Sequence, residues 1–391
     1  MKKQQLAVAL SLAFASAPSI ALDGSDARSI AMGGTGVASA NHLTAAFYNP
    51  AQMTKFDQSD DFGLLLPALN VSLHGTKDIY TDVEHFIDAD KQLGKDFTTG
   101  FDATEAQREN WIDALKKLDD AAVEANLGLG FAITVPNNTL SVNLFSKTAT
   151  ATKLSLHIDE SDLDITNKRD GDTMASTANL RAGMVTEVGL AMARNVTLPY
   201  LDEKISLGIS PKIQKVVSYN LYDRIVELGS DEFKLPSDYN ETTVFNTDIG
   251  VSYRPYESLT VGLSGVNLIS QQVASPNING HVSTFMVEPE FTVAAAYDNG
   301  WFMAALDVDL NESKQFDNTQ GTQYARLGME LDAFNWAQLR VGYSAGMTEK
   351  STNQVTAGFG LSPFGSLALD LAAKYGSETD MGVALEFSLN I

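Results

Sequence analysis

Residues 380–391 read DMGVALEFSLNI, and every second residue from position 381 onward is apolar. The apolar residues are Met381, Val383, Leu385, Phe387, Leu389 and Ile391, and small or polar residues stand between them. Because the side chains of a β-strand point alternately to its two faces, the stretch predicts a strand with one apolar and one wet face. Strands of soluble sheets usually have about five or six residues, whereas a strand that crosses a membrane needs about 9–11. The length therefore favours a strand of a membrane barrel over one of a soluble periplasmic or secreted protein.

The same alternation recurs upstream and predicts fourteen strands in all. Their spans are 62–73, 127–135, 139–158, 180–195, 204–219, 244–254, 258–268, 289–298, 301–311, 322–333, 336–345, 353–361, 365–375 and 380–391. The third span is treated as one long strand that a bulge near Thr148 could interrupt. The number of strands is even, so in a barrel of antiparallel strands both ends of the chain would lie on the same side of the membrane.

The connections between the predicted strands alternate between long and short. Long connections cover residues 74–126, 159–179, 220–243 and 269–288, and short ones cover 136–138, 196–203, 255–257 and 298–300. Bacterial outer-membrane barrels have long extracellular loops and short periplasmic turns. The sequence therefore predicts an all-β fold, a 14-stranded antiparallel transmembrane β-barrel that contacts outer-membrane lipid. An even number of strands then places both mature termini in the periplasm.

The beginning of the chain has the features of a secretory signal peptide. Lys2 and Lys3 precede an apolar run over residues 6–17, which is too short for a membrane span of about 20 residues. The small residues Ser19 and Ala21 precede a predicted cleavage point. We therefore expect residues 1–21 to be removed on export and the mature protein to reside in the outer membrane.

The composition excludes several classes of function. The chain has no Cys, which excludes disulfides, thiolate metal sites and Cys nucleophiles. A formal charge of −22 argues against nucleic acid as a partner, because phosphate is repelled by such a surface. None of the five His has metal-ligand spacing, and no G-x-S-x-G motif is present. We expect no cofactor and no enzymatic activity, with a barrel lipase as the alternative.

The polar face of the predicted strands would line the lumen. An Arg or Lys on the lipid face would cost about 2–4 kcal/mol at the membrane midplane, so the charged positions are assigned to the inside. The candidate lumen-lining residues are Arg181, Glu187, Lys212, Asp248, Asp307, Asp309, Arg326, Glu330, Arg340, Asp370, Lys374 and Glu386. Asp307 and Asp309 share a strand face and could form a carboxylate pair, but such residues more often keep a lumen hydrated.

The first long connection departs from strand periodicity. Within residues 104–126 the apolar residues Trp111, Leu115 and Leu118 recur at helical spacing, and Ala122 and Ala125 continue the pattern. A capping box formed by residues 104 and 107 would begin this helix, for which we expect about five turns. A second, short helix is predicted within residues 82–93. The insert either packs over the mouth of the barrel or presents a surface to a partner.

Two stretches before the first predicted strand break the pattern in another way. Residues 27–40, ARSIAMGGTGVASA, lead into residues 45–53, AAFYNPAQM. Pro disfavours strand interiors and biases the residue before it away from helix, so Asn49 and Pro50 predict a turn. The glycine run lacks the G-x-G-x-x-G spacing and the lysine of a phosphate loop. Its glycines would instead let the chain pass close to a wall.

These two stretches resemble the N-terminal motif of the long-chain fatty-acid transporter-like superfamily of outer-membrane proteins, in which a Gly- and Ala-rich segment leads into Asn-Pro-Ala. The resemblance implies that residues 22–61 fold into the barrel as a hatch, with 62–391 forming the barrel; an ordinary N-terminal tail is the alternative. The matching hatch and turn residues are Gly33, Gly34, Gly36, Asn49, Pro50 and Ala51. The helical insert and residues 207–222, LGISPKIQKVVSYNLY, are more similar to the conjugal-transfer TraF-like branch.

Two functions agree with these expectations. The first is a hatch-closed passive channel for a small hydrophobic or amphipathic solute. The alternative is a non-transporting barrel that supports conjugation or secretion by binding an envelope protein through its extracellular loops.

Overall fold

The computed structural model describes eleven stretches of the chain. They are residues 26–57, 60–76, 78–93, 104–163, 174–198, 203–225, 238–317, 319–334, 336–363, 365–377 and 379–391. The predicted signal peptide, residues 1–21, lies outside them.

Fourteen strands close into one antiparallel barrel, as the alternation of apolar and polar residues predicts. These strands are β1 (Gly63–Gly75), β2 (Ala122–Val135), β3 (Ser141–His157), β4 (Thr177–Thr197), β5 (Lys204–Arg224), β6 (Asn240–Tyr256), β7 (Leu259–Val266), β10 (Glu290–Asp298), β11 (Phe302–Asp309), β12 (Tyr324–Ala333), β13 (Ala337–Gly346), β14 (Gln354–Leu361), β15 (Leu367–Ser377) and β16 (Asp380–Asn390). Consecutive strands of the barrel pair with each other, and β7 pairs with β10 across the connection that separates them in the chain. β8 (Gln271–Ala274) and β9 (Thr284–Val287) form a separate hairpin within the connection from β7 to β10, which the sequence pattern does not predict.

The pairing of β1 with β16 closes the barrel, and its register runs from Gly63 opposite Asn390 to His74 opposite Asp380. The register of β1 shifts at Pro67 against both neighbouring strands. Proline cannot donate to the ladder, so a bulge is where a strand tolerates it. β3 pairs with β2 and β4 without any register shift, so the bulge considered near Thr148 is absent.

The outer surface of the barrel is apolar. On β16 the side chain of Val383 is 61% exposed, whereas Ala384 and Glu386 on the other face are buried. Exposed aromatic side chains follow one rim and lie at the turns between β6 and β7, β10 and β11, and β12 and β13; they include Tyr256, Trp301, Phe334 and Trp336. Aromatic girdles of this kind mark the membrane interface. The wall is therefore built to face lipid.

The two ends of the barrel differ in their connections. The short turns, Gly63 and Asn390 lie at one end, which we call the turn end. The opposite end, the loop end, carries the helical insert with α2 (Ile79–Leu93) and α3 (Glu105–Lys116) and a short 3-10 helix at Glu160–Leu163. No helix in the described ranges is long and apolar enough to cross a membrane.

The helical insert begins as predicted and ends earlier. The side chain of Thr104 accepts a hydrogen bond from the Gln107 backbone, and the Gln107 side chain accepts one from the Thr104 backbone, which is a capping box. Trp111 and Leu115 are buried in a cluster that also contains Phe86 of α2. The expected five-turn helix is wrong beyond residue 116, because residues 122–126 already alternate as part of β2.

The N-terminal segment lies inside the barrel. We call residues 26–57 the plug; it contains α1 (Ala27–Ala31) and two 3-10 turns, Ala45–Phe47 and Pro50–Thr54. α1 packs against β13 to β16, and the second turn packs against β3 to β6, on the opposite wall. The plug therefore reaches across the lumen.

Candidate functional site

Glycines line the wall where the plug passes over β5 and β6. A Cβ added at Gly250 would lie 1.9 Å from Oδ1 of Asn49, and one added at Gly208 would lie 2.3 Å from the Ala51 nitrogen. Real Cβ atoms essentially never make contacts under 3.0 Å. Gly208 and Gly250 oppose each other across the two strands. A glycine weakens a strand unless another backbone must approach closely, and here that backbone is the plug.

The opposite wall has a second glycine pair. Gly328 of β12 opposes Gly342 of β13. A Cβ on Gly342 would lie 2.1 Å from the Gly33 nitrogen, and one on Gly328 would lie 2.5 Å from the Met32 carbonyl oxygen. The plug thus lies in a groove that two walls form together.

The Asn-Pro-Ala motif fixes the turn of the plug. The side chain of Asn49 accepts a hydrogen bond from the Ala51 nitrogen (3.0 Å) and donates to the carbonyl oxygens of Val37 (2.8 Å) and Val251 (3.2 Å). Pro50 occupies the first position of the 3-10 turn, where no backbone donor is needed. Asn49 therefore ties two parts of the plug to each other and to β6.

The glycine run shapes the other half of the plug. Gly33 and Gly34 have φ of +73° and +87°, which favour glycine. A Cβ on Gly36 would lie 2.5 Å from the ring of Tyr48. The six predicted hatch and turn residues thus lie within residues 26–57, and their action as a hatch stays a prediction.

Side chains of the wall satisfy backbone groups of the plug. Oδ2 of Asp307 accepts hydrogen bonds from the nitrogens of Gly36 and Val37, both at 2.9 Å. Oε2 of Glu386 accepts one from the Ala27 nitrogen at 3.1 Å. A buried backbone nitrogen without an acceptor costs about 1–3 kcal/mol, so these two side chains anchor the plug by accepting its hydrogen bonds.

A buried ion network holds α1 against β12, β13 and β15. Nε of Arg28 lies 2.8 Å from Oε2 of Glu330, which also pairs with Arg340 at 2.5 Å. Arg340 pairs in turn with Asp370. Removing one partner of a buried ion pair leaves an uncompensated charge, at a cost of about 3–5 kcal/mol. This network is therefore a second anchor of the plug.

A separate network lies within β4, β5 and β6. Nζ of Lys212 is 3.0 Å from Oε2 of Glu187 and 2.9 Å from Oδ2 of Asp248. Gln214 donates to Glu187, and the Asn267 nitrogen donates to Asp248. All three charged side chains are buried and paired, so this network stiffens the wall.

Two cavities follow one another between the loop end and the plug. The outer cavity, of about 140 Å³, is lined by polar and charged side chains that include Glu124, Lys153, Lys350, Lys374 and Asp380. The inner cavity, of about 90 Å³, is bounded by the plug residues Gly34, Val37, Phe47 and Tyr48. Glu290, Asp309 and Arg326 line both cavities. Nη1 of Arg326 lies 2.6 Å from Oδ1 of Asp309, so an ion pair stands at the junction.

The inner cavity is amphipathic. Its apolar part consists of Phe47, Ala149, Val185, Val266, Phe285 and Val287. Phe285 comes from the β8–β9 hairpin, which folds into the barrel against Gly183, where a Cβ would lie 2.1 Å from the Phe285 ring. Charged side chains form the remainder, so the cavity suits a small molecule with an apolar body and a polar group.

The predicted lumen residues fall into distinct groups. Glu187, Lys212, Asp248, Asp307, Asp309 and Arg326 line the inner cavity, and Lys374 lines the outer one. Glu330, Arg340, Asp370 and Glu386 surround α1. Arg181 of β4 lies outside the lining of both cavities. Asp307 and Asp309 do not act as a carboxylate pair, because the first binds the plug and the second binds Arg326.

Sequence reasoning missed several residues of the site. Lys147 of β3 has the same parity as the buried Phe145 and Ala149, so strand alternation could have found it. Glu290 stands at the first position of β10, where alternation gives little information. Phe285 lies in a connection, and no local pattern marks it.

Comparisons with solved structures show the same fold at low sequence identity. The toluene transporter TodX of Pseudomonas putida aligns with a TM-score of 0.56 at 12% identity, covering 96% of this chain and 100% of that one. The toluene transporter TbuX of Ralstonia pickettii gives 0.56 at 12% identity, covering 95% and 99%. A FadL homologue of Pseudomonas aeruginosa gives 0.52 at 11% identity, covering 94% and 98%. No curated protein sequence matches the chain.

One protein family matches the sequence itself. The family described as "F plasmid transfer operon, TraF, protein" covers residues 46–309, which is more than half of the chain and includes the Asn-Pro-Ala turn, the helical insert and all strands that line the inner cavity except β12. The chain therefore belongs to this TraF family.

Proposed function

We propose that this barrel is a passive channel for a small amphipathic solute and that the plug closes it. The observation that carries the proposal is the inner cavity, which shares Arg326, Asp309 and Glu290 with the outer cavity and is bounded by the plug. The loop end would face the outside and the turn end the periplasm, as in other bacterial barrels. A solute would enter the outer cavity, pass the ion pair and stop at the plug.

The attachment of the plug supports a closure that can be released. Hydrogen bonds and ion pairs from side chains attach it to the wall, as at Asp307, Glu386 and Glu330. No described strand of the barrel pairs with the plug, and the ladder closes between β1 and β16 without it. The plug could therefore move without opening the wall.

A disulfide between plug and wall would test this movement. The hydroxyl oxygens of Thr54 in the plug and Ser206 in the wall are 2.7 Å apart. The natural chain has no cysteine, so two introduced cysteines could pair only with each other. We expect oxidised Thr54→Cys/Ser206→Cys to lower the rate of solute uptake into liposomes about tenfold. A tenfold lower rate corresponds to a barrier to transport that is higher by about 1.4 kcal/mol. Reduction should restore the uptake.

A second disulfide within the wall serves as the matched control. The hydroxyl oxygens of Thr148 and Thr186 are 3.1 Å apart on β3 and β4, away from the plug. Oxidised Thr148→Cys/Thr186→Cys should transport as well as the unmodified chain. Equal uptake by both oxidised proteins would show that the plug does not move in transport.

The helical insert supports a second proposed role, which is binding an envelope partner. α2 and α3 share a buried core at the loop end, so they present a formed surface. We expect deletion of Glu105–Lys116 to abolish cross-linking to envelope proteins in living cells while leaving solute uptake unchanged. If every cross-linked partner survives this deletion, the insert is only a cover of the mouth.

A further inference from the structure

We propose that the inner cavity binds a small organic cation, a protonated amine that carries an apolar body, with Asp307 as its counter-ion. The inference rests on the proposed function only for the route by which the cation arrives. The solute class differs from toluene, for which two of the similar structures are named.

Asp307 supplies the first argument. Its side chain is 2% exposed and lines the inner cavity. Oδ2 accepts both hydrogen bonds from the plug, whereas Oδ1 is buried and has no hydrogen-bond partner among the described residues. An unsatisfied buried acceptor costs about 1–3 kcal/mol, so a donor that reaches Oδ1 from the cavity gains this energy.

The charges around the cavity supply the second argument. Five carboxylates and three cationic side chains line it, namely Glu187, Asp248, Glu290, Asp307 and Asp309 against Lys147, Lys212 and Arg326. Lys212 is held between Glu187 and Asp248, and Arg326 is held by Asp309. Of the three cationic side chains in the described lining of this cavity, only Lys147 has no ion pair and could attract an anion. The lining therefore favours a cation.

The shape and the apolar lining select an organic cation. The carboxylate oxygens of the cavity do not converge as metal ligands do, since the one group of three described residues with converging ligand atoms is Asp119, Asp120 and His157, exposed at the loop end. Phe47 and Phe285 offer aromatic surface in a space of about 90 Å³. An apolar cavity of about 150 Å³ admits benzene. The inner cavity alone is smaller, but it meets the outer cavity at Glu290, Asp309 and Arg326, so a body of one ring or a short alkyl chain would extend into the outer cavity.

Three probes of similar size and different charge test the proposal on the purified full-length protein. They are phenethylammonium, neutral propylbenzene and phenylacetate, with binding measured by titration calorimetry. We expect phenethylammonium to bind at least about tenfold more tightly than either of the others, which corresponds to about 1.4 kcal/mol. Equal affinities, or a preference for phenylacetate, would overturn the proposal.

A pair of variants then assigns the effect to Asp307. Asp307→Asn keeps an acceptor for the Gly36 and Val37 nitrogens and removes the charge; we expect it to lose the preference for phenethylammonium and to keep its affinity for propylbenzene. Glu386→Gln is the control, because Glu386 also anchors the plug and lines neither cavity. An Asp307→Asn protein that still prefers the ammonium would contradict the assignment. If it does not fold, the probe series on the unmodified chain still decides the charge preference.

Binding and transport are separate readouts, so the two proposals can fail separately. Selective binding of phenethylammonium without any uptake into liposomes would refute the channel and leave the site. Uptake that shows no preference among the three probes, together with non-selective binding, would refute the cation site and leave the channel.

Discussion

Val383→Arg is expected to prevent most of the protein from inserting into membranes. Val383 is 61% exposed on the outer face of β16, and its cross-strand neighbours are Val71 and Ala373. An arginine on the lipid face of a barrel costs about 2–4 kcal/mol at the midplane. Such a cost lowers the ratio of folded to unfolded protein about 30- to 800-fold. Urea-dependent folding into lipid vesicles, followed by heat-modifiable gel mobility, measures this ratio.

The control places the same charge on the inner face. Gln354 lines the outer cavity, and its amide lies 3.2 Å from Oδ2 of Asp380, so an arginine there gains a carboxylate partner. Gln354→Arg should fold like the unmodified chain. Equal losses for both variants would mean that the lipid face and the lumen face are wrongly assigned.

The barrel wall could be predicted because each wall residue faces one of only two environments. Alternation in β16, with Val383 outside and Glu386 inside, follows from lipid on one face and water or the plug on the other. The same parity assigned Arg326, Arg340 and Asp370 to the inside. Their partners could not be read from parity, because the pairing of Arg340 with Asp370 depends on the register of three strands.

The helical insert shows where a local pattern misleads. Trp111, Leu115 and Leu118 follow helical spacing. Ala122 and Ala125 continue this spacing in the sequence by chance. In the structure these two alanines belong to β2, because pairing with β3 fixes their backbone. Long-range pairing overrides a local preference of this size.

The inner cavity could not be predicted from local sequence patterns, because segments distant in the chain form it. Phe285 reaches the lumen because a connection folds back against Gly183, about one hundred residues earlier in the chain. The glycines of the wall likewise depend on contacts with a distant part of the chain. Gly250 is small because Asn49 lies against it, and such a reason becomes visible only once both segments are placed.

Removal of the plug is the second large effect that we expect. The side chains of Asp307, Glu386 and Glu330 bind the plug, but no described barrel strand pairs with it, so the strand ladder should survive without the plug. Gly250→Val reaches the same end by another route, because its side chain would collide with Asn49 and displace the plug. Thr247→Val adds the same side chain to the outer face of β6 and should leave the barrel closed.

Conductance in planar lipid bilayers tests the closed channel most directly. We predict that the intact chain stays closed, that the protein lacking residues 22–53 conducts steadily, and that Gly250→Val conducts while Thr247→Val does not. Conductance of the deleted barrel and of Gly250→Val no greater than that of the intact chain would contradict the central claim that the plug closes an otherwise open pore.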